Sequence, residues 1–247
     1  SPATPLENNF NLRPGNALEL EVRLDAETGG AFNGSLELTA VDGQENLFNF
    51  TSTIYGAVNG DREDNTLVGS AVADSFSGAG GNDRLFGKGG DDDLRGGPGN
   101  DRLFGGSGDD LLNGGIGRDR LNGGPGDDTL TGGASRDRFI FNTNEEFVAD
   151  DLGVDTIADF DVDRDLILLD RRTFAAIESG ASINDVFETV TTDAAARSSS
   201  AVIVYNSNNG NLFYNPNGSE GGFGTGDRFA ILSDGPELSG ENFSIRG

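Results

Sequence analysis

Residues 78–140 read GAGGNDRLF, GKGGDDDLR, GGPGNDRLF, GGSGDDLLN, GGIGRDRLN, GGPGDDTLT and GGASRDRFI, seven consecutive nonapeptides starting at Gly78, Gly87, Gly96, Gly105, Gly114, Gly123 and Gly132. Two looser copies precede them, GDREDNTLV at Gly60 and GSAVADSFS at Gly69. Position six is Asn65 in the first copy and then Asp74, Asp83, Asp92, Asp101, Asp110, Asp119, Asp128 and Asp137. Position eight is always large and apolar: Leu67, Phe76, Leu85, Leu94, Leu103, Leu112, Leu121, Leu130 and Phe139. A fixed period of this kind is the signature of a stacked repeat. Three residues around position eight suffice for a short strand with its central side chain pointing inward. The six preceding residues, rich in Gly, are expected to be turn alone. Two nonapeptides then make one coil, alternate copies stack on the same side, and the position-eight ladder becomes a narrow core.

Stacking brings the position-six carboxylates of alternate copies to about one strand spacing, roughly 4.8 Å. Two unit charges at that distance repel by about 1 kcal/mol in bulk water and several-fold more where partly desolvated. A divalent cation between turns reverses the sign. The Gly-rich turns are expected to leave their carbonyl oxygens without ladder partners and directed at the same gap, so that about six oxygens surround it. Composition supports this chemistry. The chain has 247 residues, 17 Lys+Arg against 42 Asp+Glu, a net charge of −25, no His and no Cys. Such a balance argues against nucleic acid or an anionic membrane as partner and favours cations. Without Cys there is no disulfide framework, and a metal is the natural staple. An all-oxygen cage suits Ca²⁺ better than Zn²⁺ or copper, and better than Mg²⁺, which demands strict octahedral geometry.

The repeat resembles the RTX nonapeptide family, GGxGxDxUx, a calcium-binding parallel β-roll. The resemblance implies that each Ca²⁺ takes carbonyls of positions two and four plus the Asp of one copy. The copy two repeats later then supplies carbonyls of positions one and three plus its Asp. Five full sites follow for this chain. The first two are Ala79, Gly81 and Asp83 with Gly96, Pro98 and Asp101, and Lys88, Gly90 and Asp92 with Gly105, Ser107 and Asp110. The third and fourth are Gly97, Gly99 and Asp101 with Gly114, Ile116 and Asp119, and Gly106, Gly108 and Asp110 with Gly123, Pro125 and Asp128. The fifth is Gly115, Gly117 and Asp119 with Gly132, Ala134 and Asp137. Asn65 and Asp74 are weaker candidates. Glu63, Val72 and Ser135 replace Gly at position four, which marks those copies as poor binders or caps of the roll.

The fold class expected is all-β: a parallel β-roll over residues 60–140, a strand-rich segment over 1–59 and a β-sandwich cap over 141–247. Leu18, Leu20, Val22 and Leu24 alternate with polar residues, Leu36 and Leu38 flank Glu37, and the stretch is similar to part of an immunoglobulin-like sandwich. Beyond the roll, strands are expected at Asp155–Phe160, Asp165–Leu169, Ala201–Asn206, Asn211–Tyr214 and Arg228–Leu232. A hairpin is expected at Asn208 to Gly210, and a short helix at Arg171–Ser179. This part is similar to the sandwich that follows the roll in serralysin-type and other type I-secreted proteins, and the resemblance implies an export signal in the tail ELSGENFSI. DFDVDRDLILLD superficially suggests an EF-hand, but Arg164 stands where the loop needs Gly and Asp170 where it needs Glu. Asp159 and Asp165 remain candidates for a further calcium contact at the end of the roll.

No enzyme is expected. Without His or Cys, zinc-protease, triad and Cys–His chemistry are excluded; paired carboxylates for glycoside hydrolysis stay open among the 42 acids, but nearly every clustered Asp already has a metal role. Ser1–Phe10 has no basic stretch followed by an apolar one, and no run of 18 apolar residues occurs, so neither a cleavable signal nor a spanning helix is expected. The start at Ser1 without Met reads as a processed or excised piece. A disordered acidic linker is the competing interpretation, but a linker has no reason to hold Asp at one phase and Leu at another. Disorder is instead the expectation without calcium. Two non-enzymatic roles follow: a secreted module that folds on Ca²⁺ outside the cell after passing type I secretion machinery, or an adhesive surface-layer spacer with self-assembly or surface polysaccharide or protein contacts. An ice-binding roll would need a regular Thr row, which the third positions lack.

Overall fold

The computed structural model describes residues 57–143 and 146–247. The strands, immunoglobulin-like resemblance and domain assigned to residues 1–56 lie outside the described residues.

One strand, β1 Ala57–Asn59, precedes the repeats, and each of the nine nonapeptides then supplies one: β2 Thr66–Val68, β3 Ser75–Ser77, β4 Arg84–Gly89, β5 Asp93–Pro98, β6 Arg102–Ser107, β7 Leu111–Ile116, β8 Arg120–Asn122, β9 Thr129–Ala134 and β10 Arg138–Phe141. Odd strands stack in one sheet and even strands in the other, all parallel, with Leu85 opposite Leu103 and Leu94 opposite Leu112. The Leu of position eight at 85, 94, 103, 112, 121 and 130 is fully buried, so the core is one ladder of side chains from each sheet. Positions seven and nine alternate outward, as a pleated strand requires.

Strands β4 to β7 and β9 are longer than the three residues expected, running six residues into positions one to three of the next copy. The ladder continues through the corner because Gly97 pairs with Gly115 and Gly115 with Gly133, where no Cβ obstructs the turn stacked above. The Gly-rich part is therefore both turn and ladder.

The C-terminal segment extends the roll. It contains β11 Asp155–Ile157, β12 Leu166–Asp170, β13 Phe187–Val190, β14 Ile203–Asn206, β15 Asn211–Tyr214, β16 Arg228–Leu232 and β17 Phe243–Arg246. β11 pairs in parallel with β9 and β16, and β12 with β10 and β17, so both roll sheets run on without a break. β13 to β16 complete a ten-stranded sheet, with a hairpin between β14 and β15 that turns at Gly210, φ 74°. The sandwich expected for 141–247 is therefore not a separate pair of sheets. It is the widened end of the same two, filled by Phe141, Phe147, Phe174, Tyr214 and Phe229 in tilted and edge contacts.

The helix expected at Arg171–Ser179 is a run of turns instead. Asp170 Oδ1 accepts from the Arg172 N–H at 2.9 Å, and this local bond holds the chain in a turn as it leaves β12. Single-turn helices form at Ala149–Leu152, Ile183–Val186 and Asp193–Ala196. The second is set by a capping box of Ser182 with Asp185 and the third by a Thr192 cap. Among the described residues no helix is long and apolar enough to cross a membrane.

Candidate metal centre

Position six lies at the turn into each strand, and its backbone N–H does not join the strand ladder. It donates instead to the carboxylate stacked two copies later: Asp83 N–H to Asp101 Oδ1, Asp101 N–H to Asp119, and Asp119 N–H to Asp137, each at 2.8 Å. On the other side Asp74 donates to Asp92 at 2.7 Å, and Asp92 to Asp110 and Asp110 to Asp128 at 2.8 Å. One oxygen of every carboxylate is thereby used. The other, Oδ2 of Asp83, Asp92, Asp101, Asp110, Asp119, Asp128 and Asp137, is buried without any hydrogen-bond partner. An unsatisfied buried carboxylate oxygen is costly, and one in each of seven successive copies is a pattern rather than a packing defect.

These oxygens share a direction. A Cβ added at Gly78 would overlap Asp83 Oδ2 and lie 2.7 Å from the Gly96 carbonyl oxygen. At Gly96 it would overlap Asp101 Oδ2 and lie 2.6 Å from the Gly114 oxygen, and at Gly114 it would lie 2.5 Å from Asp119 Oδ2 and 2.7 Å from the Gly132 oxygen. Carboxylate and position-one carbonyl thus converge beside a glycine. The carbonyls of position two (Ala79, Lys88, Gly97, Gly106 and Gly115) and of position four (Gly81, Gly90, Gly99 and Gly108) abut the glycine one coil on. At Gly117, φ 141°, any Cβ would overlap the Gly99 carbonyl oxygen.

The expectation that these carbonyls lack ladder partners fails for positions one and three. Pro98, Ile116, Pro125 and Ala134 oxygens accept from the N–H of Gly81, Gly99, Gly108 and Gly117, and Gly123 O accepts from Gly106. The cause is the same corner pairing that lengthens the strands. Each carbonyl retains a second lone pair.

Among the described residues no three acidic, His or Cys side chains cluster as a metal site. The carboxylates meet in pairs along a column, and the remaining donors are backbone oxygens. That donor set, hard and free of nitrogen and sulfur, fits Ca²⁺.

Electrostatics match. Burial pushes the Asp119 carboxyl up to about 7, with like charge from Asp137 and Asp101 adding to the rise and the Asp101 N–H bond opposing it. Burial likewise raises Asp83, Asp110 and Asp137 to about 6. Asp92 and Asp101 are raised for the same first reason.

Both columns continue past the repeats. Asp137 N–H donates to Asp165 Oδ1 at 2.9 Å and Asp128 N–H to Asp155 Oδ1 at 3.2 Å. Asp155 was not anticipated. It lies in GVDTI, and Gly153, Asp155 and Ile157 occupy the places of positions four, six and eight, as Thr156 opposite Thr129 and Ile157 opposite Leu130 show. DLI at Asp165–Ile167 does the same on the other side, where Ile167 faces Phe139. Hence Ser135 does not end the roll. Asp165 Oδ2 is engaged by the Asp161 N–H at 3.0 Å, and Asp159 receives Gly132 and Gly133 N–H at 2.8 Å each, capping a turn. In the loose copies the equivalent oxygen is satisfied locally: Asp74 Oδ2 by Ser70 N–H at 2.7 Å, and Asn65 Oδ1 by Asp61 N–H at 2.8 Å.

A second ladder at position five also escaped sequence reasoning. Asn82 N–H donates to Asp64 Oδ1, Asn100 to Asn82 and Arg118 to Asn100; on the other side Asp109 donates to Asp91, Asp127 to Asp109 and Val154 to Asp127. The enrichment of Asn and Asp at that position was the available signal.

Compared with known families, the chain matches the four-copy RTX calcium-binding nonapeptide repeat over residues 59–94, 86–121 and 114–143. No curated protein matches the chain. The RTX repeat is a structural calcium-binding element and not a catalytic one. With its parallel sheets, glycine corners and columns of half-satisfied aspartates, the stretch from 59 to 143 consists of RTX calcium-binding nonapeptide repeats.

Proposed function

We propose that the roll holds Ca²⁺ between successive turns on both sides, and that ion binding is what folds it. Seven buried carboxylate oxygens without a hydrogen-bond partner carry this proposal. Each gap has a position-six pair and nearby carbonyls as ligands: Asp101 and Asp119 with Gly97, Gly99, Gly114 and Ile116, and likewise for the gaps paired 83/101, 92/110, 110/128 and 119/137. A Ca²⁺ there supplies the positive charge that the columns lack. The chain's own contribution is to hold the oxygens in register. Two leucines per coil bury too little apolar surface to order that coil unaided, so the cation-free chain is disordered and folding is coupled to binding.

Low calcium inside a cell and high calcium outside then make the segment a secreted module that becomes compact only after export by type I machinery. The ground for this part of the proposal is the sequence resemblance of residues 141–247 to the segment that follows the roll in type I-secreted proteins. The continuity of both sheets from the roll into its C-terminal end favours a second role as a rigid extracellular spacer. Calorimetric titration with Ca²⁺ tests the core of the proposal. Five or more ions per chain, with β structure appearing in step by circular dichroism, is the expected result. An unchanged β spectrum in chelator would end it.

A further inference from the structure

The two outer faces of the roll are built on the same scaffold yet differ sharply in charge. On the even face, positions five, seven and nine between residues 82 and 140 hold Arg84, Arg102, Arg118, Arg120, Arg136 and Arg138 and no acid. On the odd face the matching positions from 91 to 131 hold Asp91, Asp93, Asp109 and Asp127 and one cation, Arg95, which pairs with Asp93 at 2.8 Å. Arg84 faces Arg102, Arg102 faces Arg120 and Arg120 faces Arg138 in register. These four side chains therefore leave the sheet in a row at about 4.8 Å backbone intervals. Five of the six arginines are exposed and Arg138 is half-buried. None of the six side chains makes a hydrogen bond or a close ion pair among the described residues, and the one acid that acts on the row is Asp64 at its N-terminal end, beside Arg84. Like charges directly opposite across strands cost stability, so the fold itself does not account for the row.

We propose that this face binds a linear acidic polysaccharide, one carboxylate per sugar, laid along the roll axis across the arginine row. Guanidinium groups recognise carboxylates by paired hydrogen bonds. The charges are spread over four coils rather than focused on a point, which suits an extended polymer and not a small anion. Next to the row, Phe86 and Phe104 stack on each other with centroids 5.0 Å apart and planes within 4°. Val68 is exposed beside them. The strip offers apolar contact to sugar C–H groups. Because the two rings cover each other's faces, they offer little platform for bases, which disfavours single-stranded nucleic acid. The chain's acidity is screened beyond about 8 Å at physiological ionic strength, so the local face decides.

The inference rests on the calcium-folded roll, so binding is measured on the full chain in saturating Ca²⁺ with circular dichroism read on the same sample. The probes are polysialic acid, neutral dextran and oligodeoxythymidine, and the variant is the double substitution Arg102→Gln and Arg120→Gln. Polysialic acid should bind in a salt-sensitive manner and dextran should not. The double variant should bind roughly 100-fold more weakly, about tenfold per arginine, with its β spectrum unchanged. A folded chain that ignores polysialic acid, or a double variant that binds it as well as the parent, overturns the inference and leaves the calcium proposal standing. Tighter binding of oligodeoxythymidine reassigns the face to nucleic acid. Self-association without ligand that the double variant loses reassigns it to a second copy of this chain.

Discussion

Replacing Asp119 by Asn should change stability in opposite directions with and without calcium. Asp119 Oδ1 accepts from the Asp101 N–H at 2.8 Å, and Oδ2 is buried without a partner. Asn keeps the acceptor and the shape and removes the charge. In the cation-free fold, burial raises the carboxyl from 3.8 to about 7, about three pK units at about 1.36 kcal/mol each. Discounted for solvent screening, the charged form costs the cation-free fold on the order of 1–3 kcal/mol at neutral pH and above, and D119N relieves the charge part of that cost. With calcium the sign reverses, because Asp119 serves the gaps shared with Asp101 and with Asp137. Both ions should bind roughly tenfold or more weakly. In chelator, folding is driven with trimethylamine oxide and followed by circular dichroism; the D119N midpoint should fall below the parent's. In excess Ca²⁺, urea unfolding should show D119N less stable, with two ions weakened in the titration. A loss of similar size in both conditions would show that Asp119 is only a hydrogen-bond acceptor, and the electrostatic reasoning would fail.

Further outcomes follow from the same geometry. Because the folded-state values of Asp83, Asp110, Asp119 and Asp137 lie at about 6 to 7 against 3.8 when exposed, the cation-free fold binds more protons than the unfolded chain between these values. Its stability should rise as pH falls from about 7 toward 4, read as β signal in chelator with molecular mass followed in parallel. Calcium competes with those protons, so its affinity should drop as pH falls through 7 to 6, measured by titration at each pH. Gly117→Ala, at φ 141° with the Gly99 carbonyl in the way, should break the stack, lowering the calcium-loaded melting temperature and the ion count together. Lys88→Gly, at φ 82° with an exposed side chain, should instead stabilise the loaded roll by about 1 kcal/mol, read as a higher melting temperature. Leu121→Ala, in the fully buried ladder, should cost about 2–5 kcal/mol in urea unfolding.

The roll was legible because its two requirements recur at one phase. An apolar side chain at Leu85, Leu94 or Leu103 must point inward, and a short acid at Asp83, Asp92 or Asp101 must reach the turn stacked beside it. Strands such as Asn211–Tyr214 and Arg228–Leu232 were legible for ordinary reasons of β-branched and aromatic content. The continuation of the roll was hidden because Asp155 and Asp165 follow their ladder partners by 27 and 28 residues rather than 18. DTI and DLI keep the local pattern, but the spacing that announces it is broken by the intervening loops. β17 was not legible as a strand because FSIR has little alternation of its own; its place is set by pairing with β12. Corner pairing of the glycines could not be foreseen from propensity, since glycine's low strand preference is overridden where a Cβ would collide with the next coil. Position five was passed over because the motif leaves it unspecified, although Asn82, Asn100 and Asp109 use it for the same acceptor chemistry.

The most direct measurement is a crystal structure grown in excess Ca²⁺, with anomalous scattering used to identify ions between Asp101 and Asp119 and between Asp92 and Asp110. One ion in each gap, touching the oxygens that are unpartnered here, is the predicted result. Gaps holding only water, with the turns still in register, would contradict the claim that calcium holds the coils together.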